Sequence, residues 1–250
     1  MKVSIVTVVM DRADTVEHAV TSVQQQSYRD LEHVVQDGGS RDGTVEIIRR
    51  LSDSRTRLVS EPDDGIYDAI NRGIARSTGD VVGLLHSDDF FAHQDVVSRI
   101  TEAFKDPAVD AVYGDLDYVS AADPARVIRR WRAGVASPAK LRRGWMPPHP
   151  TLYVRAKIFR DHGAYDTSFE IAADYDAILR FFGTGKVRSA YLPEVLVKMR
   201  LGGASNASLG HILKKSKEDL RALRRNGVGG YGTRVLKNVS KVGQFVVKDG

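Results

Sequence analysis

Leu84-Leu85-His86-Ser87-Asp88-Asp89 closes an apolar run that begins at Val81. The segment from Val81 to Leu85 reads as a buried β-strand that stops abruptly at two adjacent carboxylates. Two acids at the end of a buried strand repel each other and lose hydration. A divalent cation is the usual group that offsets this. Hard cations such as Mg²⁺ prefer oxygen ligands and are often shared between a carboxylate and substrate phosphates. A turn or a helix cap is the ordinary use of Asp at such a place. The remainder of the chain decides between the two.

Upstream, strand and helix alternate. Val3 to Val9 is a β-branched run expected as a buried strand. Asp14 and Glu17 have capping-box spacing for a helix running to about Gln26. Glu32 to Gln36, Arg57 to Ser60 and Val81 to Leu85 are the next strands, with Thr44 to Leu51 and Ile66 to Ala75 as helices between them. Such an order predicts a mostly parallel sheet flanked by helices. Ligands bind beyond the carboxyl ends of strands in these sheets, and both Asp37 and Asp88-Asp89 fall there. Downstream, Gln94 to Phe104 is expected as helix. Ala111 to Tyr113, Leu116 to Val119 and Val127 to Trp131 form a small antiparallel element. Pro147-Pro148-His149-Pro150 is a rigid break before a strand from Thr151 to Val154. Arg155 to His162 and Tyr175 to Phe182 read as helices, and Val187 to Ala190 and Val195 to Arg200 as strands. Gly202-Gly203-Ala204-Ser205-Asn206 reads as a loop able to close over a site.

The chain has 250 residues, no cysteine and a net charge of +5. Disulfides and thiolate metal sites are therefore excluded. No stretch reaches the roughly 20 apolar residues of a spanning helix, and Met1 to Met10 is too short and too soon followed by Asp11 and Arg12 for a signal peptide. A cytoplasmic protein is expected, with peripheral contact on the inner face of the membrane. The charge is concentrated after His211, where Lys214, Lys215, Lys217, Arg221, Arg224, Arg225, Arg234, Lys237, Lys241 and Lys248 face only Glu218, Asp219 and Asp249. Ile212, Leu213, Leu220 and Leu223, then Leu236, Val239, Val242, Phe245 and Val246, interleave with these cations. Residues 206–250 accordingly read as a helical, basic, amphipathic extension suited to an anionic surface.

Between the second strand and its helix lies Asp37-Gly38-Gly39-Ser40-Arg41-Asp42-Gly43-Thr44. Asp37 offers acceptors to a nucleobase or ribose, and Asp42 is placed to cap the helix. The spacing matches neither the dinucleotide fingerprint nor the P-loop. It resembles the D-G-G-S-x-D-G-T signature of family 2 glycosyltransferases. Glu61-Pro62-Asp63-Asp64-Gly65-Ile66-Tyr67-Asp68-Ala69-Ile70-Asn71-Arg72-Gly73 is similar to their E-x-D-x-G-I-Y-D-A-x-N-x-G segment, and His86-Ser87-Asp88-Asp89 to their acidic metal-binding motif. The likeness continues through Pro148-His149-Pro150-Thr151 and Ala173-Asp174-Tyr175-Asp176, covers about residues 1 to 205, and points to the bacterial branch that builds surface polysaccharides.

The resemblance implies a GT-A fold over residues 1–205, with a nucleotide-sugar-binding half at 1–120 and an acceptor half at 121–205. It implies inverting transfer from a nucleotide-diphospho-sugar to a glycan acceptor, expected to be lipid-linked. Carried over, Thr7 and Asp37 contact the nucleoside, and Asp68 and Asn71 lie near the donor. Asp88 faces the ribose or the metal, and Asp89 ligates Mn²⁺ or Mg²⁺ bridging the diphosphate. Asp174 matches the catalytic base, and direct displacement needs only one. His149 and Arg200 are candidates for the acceptor site or its lid. The chain departs from the pattern at Gly38, where many relatives carry a second acid, at His86, where Asn or Asp is common, and at Ile70, which is basic in some relatives. Two other readings stand beside this one. A nucleotidyltransferase on a similar sheet would need a Gly-rich basic loop near the first strand, and Met10-Asp11-Arg12-Ala13 offers none. A non-catalytic nucleic-acid binder would use the basic extension and leave the acidic cluster unexplained. No nucleic-acid partner is expected.

Overall fold

In the computed structural model, residues 1–201 and 209–240 are described. Every residue of β1 (Val3–Val9) is buried. That burial puts the strand at the centre of one half of the sheet, between β2 (Leu31–Asp37) and β4 (Val81–Leu84), with β3 (Thr56–Ser60) outside β2; all of these pairings are parallel. Helices α1 (Val16–Gln24), α2 (Thr44–Leu51) and α3 (Ile66–Arg76) are the crossovers. They cover both faces. Val16, Val20 and Ile48 pack on Val9 and Val35, while Ala69 and Ile70 pack on Val6, Val8, Val82 and Leu84. The capping box expected at Asp14 is absent: α1 begins after Thr15, with no side-chain cap. Asp42 does bond the start of α2, from two residues before it, through the Thr44 N–H at 3.0 Å.

Beyond β4 the sheet turns mixed. The full order is β3-β2-β1-β4-β8-β6-β9-β5, with β7 (Val127–Trp131) on β6 (Ala111–Val119). β8 (Tyr153–Arg155) is antiparallel to both β4 and β6. Gly83 permits this junction, since a Cβ there would stand 2.1 Å from the Tyr153 ring. β6 runs parallel to β9 (Ser189–Arg200), and β5 (Asp89–Phe91) runs antiparallel to β9. The antiparallel pairing of β7 with β6 agrees with the expectation from sequence. The two pairs of short strands expected at 111–119 and 187–200 are instead one strand each. Shifts in register beside Gly114 and Asp115 absorb the interruptions in their apolar patterns.

The second half carries α4 (Val96–Ala103), α5 (Pro138–Arg142), a 3₁₀ turn at His149–Thr151, α6 (Ala156–His162), α7 (Ala173–Phe182), α8 (Leu209–Arg225) and α9 (Tyr231–Ser240). The boundary expected at residue 205 does not separate two cores. Ala222 and Leu223 of α8 share a buried cluster with Tyr175, Ile178 and Leu179 of α7. The stripe expected along the extension divides: Leu220 and Leu223 are buried, whereas Ile212, Leu213 and Leu236 are exposed. The side chain of Val239, the loop at 202–206 and Val242, Phe245 and Val246 lie outside the described residues. Among the described residues no helix is long and apolar enough to cross a membrane.

His33 on β2 is 1% exposed, and its Nε2 lies 2.9 Å from the Thr7 hydroxyl. Burial is the main cause that holds its pKa down at about 4. The unfolded chain therefore binds a proton that the folded one refuses between the ordinary histidine value and pH 4. The stability this residue contributes is complete above the ordinary value and is lost as pH falls through the folded one. The expected loss is about 2 kcal/mol by pH 5. Urea unfolding at pH 7.5 and pH 5.0 should show that loss in the wild type and much less of it in His33→Gln, which keeps a donor without titrating.

Candidate active site

A cavity of about 750 Å³ opens beyond the carboxyl ends of β1 and β4. Val8, Val9 and Met10, the start of α3 from Gly65 to Tyr67, and Leu84 with His86-Ser87-Asp88 form the side built by the parallel strands. His149, Asp174 and Arg200 line the other side, with His211, Ile212 and Lys215 of α8. Asp88, His149, Asp174 and Arg200, far apart in sequence, therefore meet around one space.

Backbone geometry separates the two adjacent acids. The Asp89 N–H donates to the His86 carbonyl at 3.0 Å, turning the chain. Asp89 then enters β5 opposite Met199. Arg200 fixes the turn from the end of β9. Its guanidinium donates to the Asp88 carbonyl at 2.8 Å, lies over the Phe90 ring and bonds His18. Asp88 is left half-buried at the cleft, while Asp89 is fully buried beside it. Among the described residues neither carboxylate oxygen of Asp89 makes a hydrogen bond of good geometry, though the Arg200 backbone N–H and charge favour its ionised form. Burial, and then the Asp88 charge, push its pKa well above the usual carboxylate range. A buried carboxylate whose two oxygens lack a well-formed hydrogen bond fits a divalent cation. Among the described residues no cluster of three or more His, Asp or Glu stands ready to cage one. Asp88 and Asp89 would supply a minority of the ligands, the pattern of a cation shared with phosphate oxygens and water.

Asp174 sits in the first turn of α7, behind an N-cap at Ala172 that makes no side-chain bond. It is not the cap. The N–H groups ahead of it are satisfied from α8, where the Glu218 carboxylate accepts from Glu170, Ile171 and Ala172 at 3.2, 2.9 and 3.0 Å. The sequence view of residues 206–250 as an appendage missed this clamp. Burial pushes the Asp174 carboxyl up, but His149, Lys215 and Lys237, with a hydrogen bond from the Tyr175 backbone N–H, outweigh it and hold the group below the usual range. Lys237 of α9 is 1% exposed, pairs with Asp219 at 2.8 Å and lies 3.2 Å from the centre of the Tyr175 ring. α9 comes so close because Gly144, at φ +82°, has no side chain to meet the Lys237 backbone. His149 Nδ1 stands 3.4 Å from Asp174 Oδ2, and its Nε2 stands 2.9 Å from His86 Nε2.

Four residues expected at the donor, and Asp89 expected at the metal, do not line the cavity; of the two adjacent acids only Asp88 does. Thr7 is buried against His33. The Asp37 carboxylate is occupied by the Gly39 and Ser40 N–H groups, each at 3.0 Å, and by the Ser40 and Ser60 hydroxyls. Asp68 pairs with Arg72 at 2.8 Å. Asn71 exchanges two hydrogen bonds with the Tyr165 backbone, at 2.7 and 2.9 Å. The structure adds Asp63, Arg12, Tyr67, Tyr118 and Lys215 to the lining. The Asp63 carboxylate lies against Gly38, where any side chain would meet it.

The model of the family described as glycosyl transferase family 2 matches residues 4–167. An uncharacterized glycosyltransferase of Mycobacterium tuberculosis is 34% identical over 186 residues, covering 71% of this chain and 68% of its own. A PGL/p-HBAD biosynthesis glycosyltransferase of Mycobacterium bovis is 28% identical over 209 residues, covering 81% and 78%. Among solved structures, the mannosyltransferase PcManGT from Pyrobaculum calidifontis in complex with GDP-Man and Mn²⁺ superposes with a TM-score of 0.67 at 17% identity, over 96% of this chain and 68% of its own. S. aureus TarS 1–349 in complex with UDP-GlcNAc gives 0.65 at 15%, over 91% and 66%. The GT-A expectation is thereby borne out. With a family match across most of the folded core and a relative sharing a third of its residues over two thirds of both lengths, this chain belongs to glycosyl transferase family 2 and is a glycosyltransferase.

Proposed function

We propose that this glycosyltransferase moves a sugar from a nucleotide-diphospho-sugar to a hydroxyl of a glycan acceptor, with inversion, and that Asp174 is the base. One observation carries this reading: Asp88 and Asp174 face a single cavity from its two sides. In the step so placed, the acceptor oxygen bonds the anomeric carbon as the bond from that carbon to the diphosphate breaks. The electron pair leaves with the diphosphate, and the hydroxyl proton passes to Asp174. With its pKa lowered, Asp174 is ionised at neutral pH, which leaves an oxygen to take the proton. Asp88 and Asp89 would hold Mn²⁺ or Mg²⁺, which neutralises charge on the departing diphosphate. The neighbours solved with GDP-Man and Mn²⁺ and with UDP-GlcNAc support this donor class.

The acceptor we assign is lipid-linked, within envelope or exopolysaccharide assembly, and a mycobacterial relative named for PGL/p-HBAD biosynthesis supports that setting. Exposed Ile212 and Leu213 on α8 and Tyr231, Val235 and Leu236 on α9, set among lysines and arginines, suit contact with an anionic membrane surface. Calorimetry tests the donor side. Uridine or guanosine diphosphate is expected to bind at least about tenfold more tightly with Mn²⁺ than after chelation, a difference of ~1.4 kcal/mol. Equal, weak binding of both nucleotides in the two conditions would overturn the assignment.

A further inference from the structure

Asp174 has two carboxylate oxygens in unlike surroundings. Oδ2 faces His149 Nδ1 at 3.4 Å. Among the described side chains, Oδ1 has a long approach, 3.5 Å, from the Tyr67 hydroxyl, which makes its shorter bond of 2.7 Å to the Ile171 carbonyl, and the Tyr175 backbone N–H also bonds the carboxylate. His149 Nε2 in turn lies 2.9 Å from His86 Nε2. Two ring nitrogens at that separation share one proton. A neutral imidazole carries a single N–H, and the partner of one nitrogen decides which it is. Burial is the main cause that holds the His149 pKa down at about 4, so the ring is neutral at pH 7. A proton on Nε2 would leave the Nδ1 lone pair pointed at a carboxylate. A proton on Nδ1 donates to that carboxylate and leaves Nε2 bare. His86 Nε2–H must then be the donor to His149.

We propose that His149 is a positioning residue for glycosyl transfer: its Nδ1–H turns Oδ2 of Asp174 toward the protein and leaves Oδ1 for the acceptor hydroxyl, while His86 fixes the His149 tautomer. The chain of contacts runs from the end of β4, through the 3₁₀ turn at His149–Thr151, to α7. It thus ties the base to the same turn that carries Asp88. The 3.4 Å contact is longer than a formed hydrogen bond, as catalytic contacts commonly are before substrate binds. This inference rests on the reading of Asp174 as the base.

Two substitutions separate positioning from bulk. His149→Asn retains an N–H near the place of Nδ1, and His149→Phe retains a ring without a donor. His149→Phe is expected to lose roughly 10²-fold in kcat, the size of a small misplacement of a reacting group, with donor KM little changed. His149→Asn should recover to within about tenfold of wild type, the difference of one hydrogen bond. Equal impairment of the two variants, or full activity of His149→Phe, would overturn the proposal. Nitrogen-15 NMR of the ligand-free wild type gives a readout that needs no variant to fold. It should find the proton on Nδ1 of His149 and on Nε2 of His86, and a proton on Nε2 of His149 would defeat the idea. If Asp174→Asn transfers sugar normally, the base assignment fails. If that variant is inactive and the ring protons are misplaced, only the positioning role fails.

Discussion

Asp174→Asn will lose about 10³-fold in kcat, within the 10²- to 10⁴-fold range of general-base removal, and will bind donor as the wild type does. The amide is nearly the same size as the carboxylate, so the Glu218 clamp on residues 170–172 and the packing of α7 should persist. What disappears is the acceptor for the hydroxyl proton. The loss corresponds to about 4 kcal/mol in the barrier. Two measurements check it: single-turnover transfer to acceptor, and calorimetry of the donor's nucleoside diphosphate with Mn²⁺. Retained binding with lost turnover is the expected pair. Normal turnover would remove Asp174 from the mechanism, and lost binding would make it part of the donor site.

The legibility of this molecule in its sequence follows from where each signal is local. β1, β2 and β4 are nearly continuous buried runs, and the crossover helices alternate with them, so the parallel half of the sheet could be read directly. β6 and β9 could not. Gly114-Asp115 and Pro193-Glu194 break their apolar patterns, and only the partner strand supplies the reason for continuing. Asp115, for example, is buried because it accepts from the Ala133 N–H and the Tyr191 hydroxyl, each at 2.8 Å. The site divides the same way. Asp88, His149, Asp174 and Arg200 were picked out along the chain and meet at the cavity. Asp37, Asp68 and Asn71 carry equally polar side chains, but partners occupy them, nearby in sequence for Asp68 and distant for Asn71, which bonds the Tyr165 backbone. Composition cannot tell an occupied carboxylate from a waiting one. The basic character of residues 206–250 suggested a surface, and it concealed Glu218, Lys215 and Lys237, which α8 and α9 deliver next to Asp174.

The sharpest physical contrast is at Asp89, where stability and ligand response should change in opposite directions. The fully buried Asp89 carboxylate is destabilising when ionised, because burial and the Asp88 charge outweigh what the Arg200 N–H and charge return. Asp89→Asn removes that charge at constant shape. In chelator-treated protein at neutral pH the variant should be more stable than wild type by about 1–3 kcal/mol, because an unpaired neutral amide costs less to bury than an unpaired charge. For a chain of this size that raises Tm by roughly 2–12 °C. The sign with pH follows from the raised pKa. A carboxyl whose folded value lies above its unfolded value favours folding when protonated, and that benefit is lost as pH rises through the folded value. The advantage of Asn should therefore widen from pH 5 to pH 8. Adding Mn²⁺ and nucleoside diphosphate should reverse the order, because a ligand bound only by the folded wild type stabilises it by mass action. Transfer by the variant should fall about 10²- to 10³-fold, as when one preorganised electrostatic partner is removed. Melting curves in four conditions, each protein with and without manganese and nucleotide, read the whole pattern. A variant that melts lower than wild type after chelation and gains as much from the ligands would show that Asp89 serves the fold and not the diphosphate.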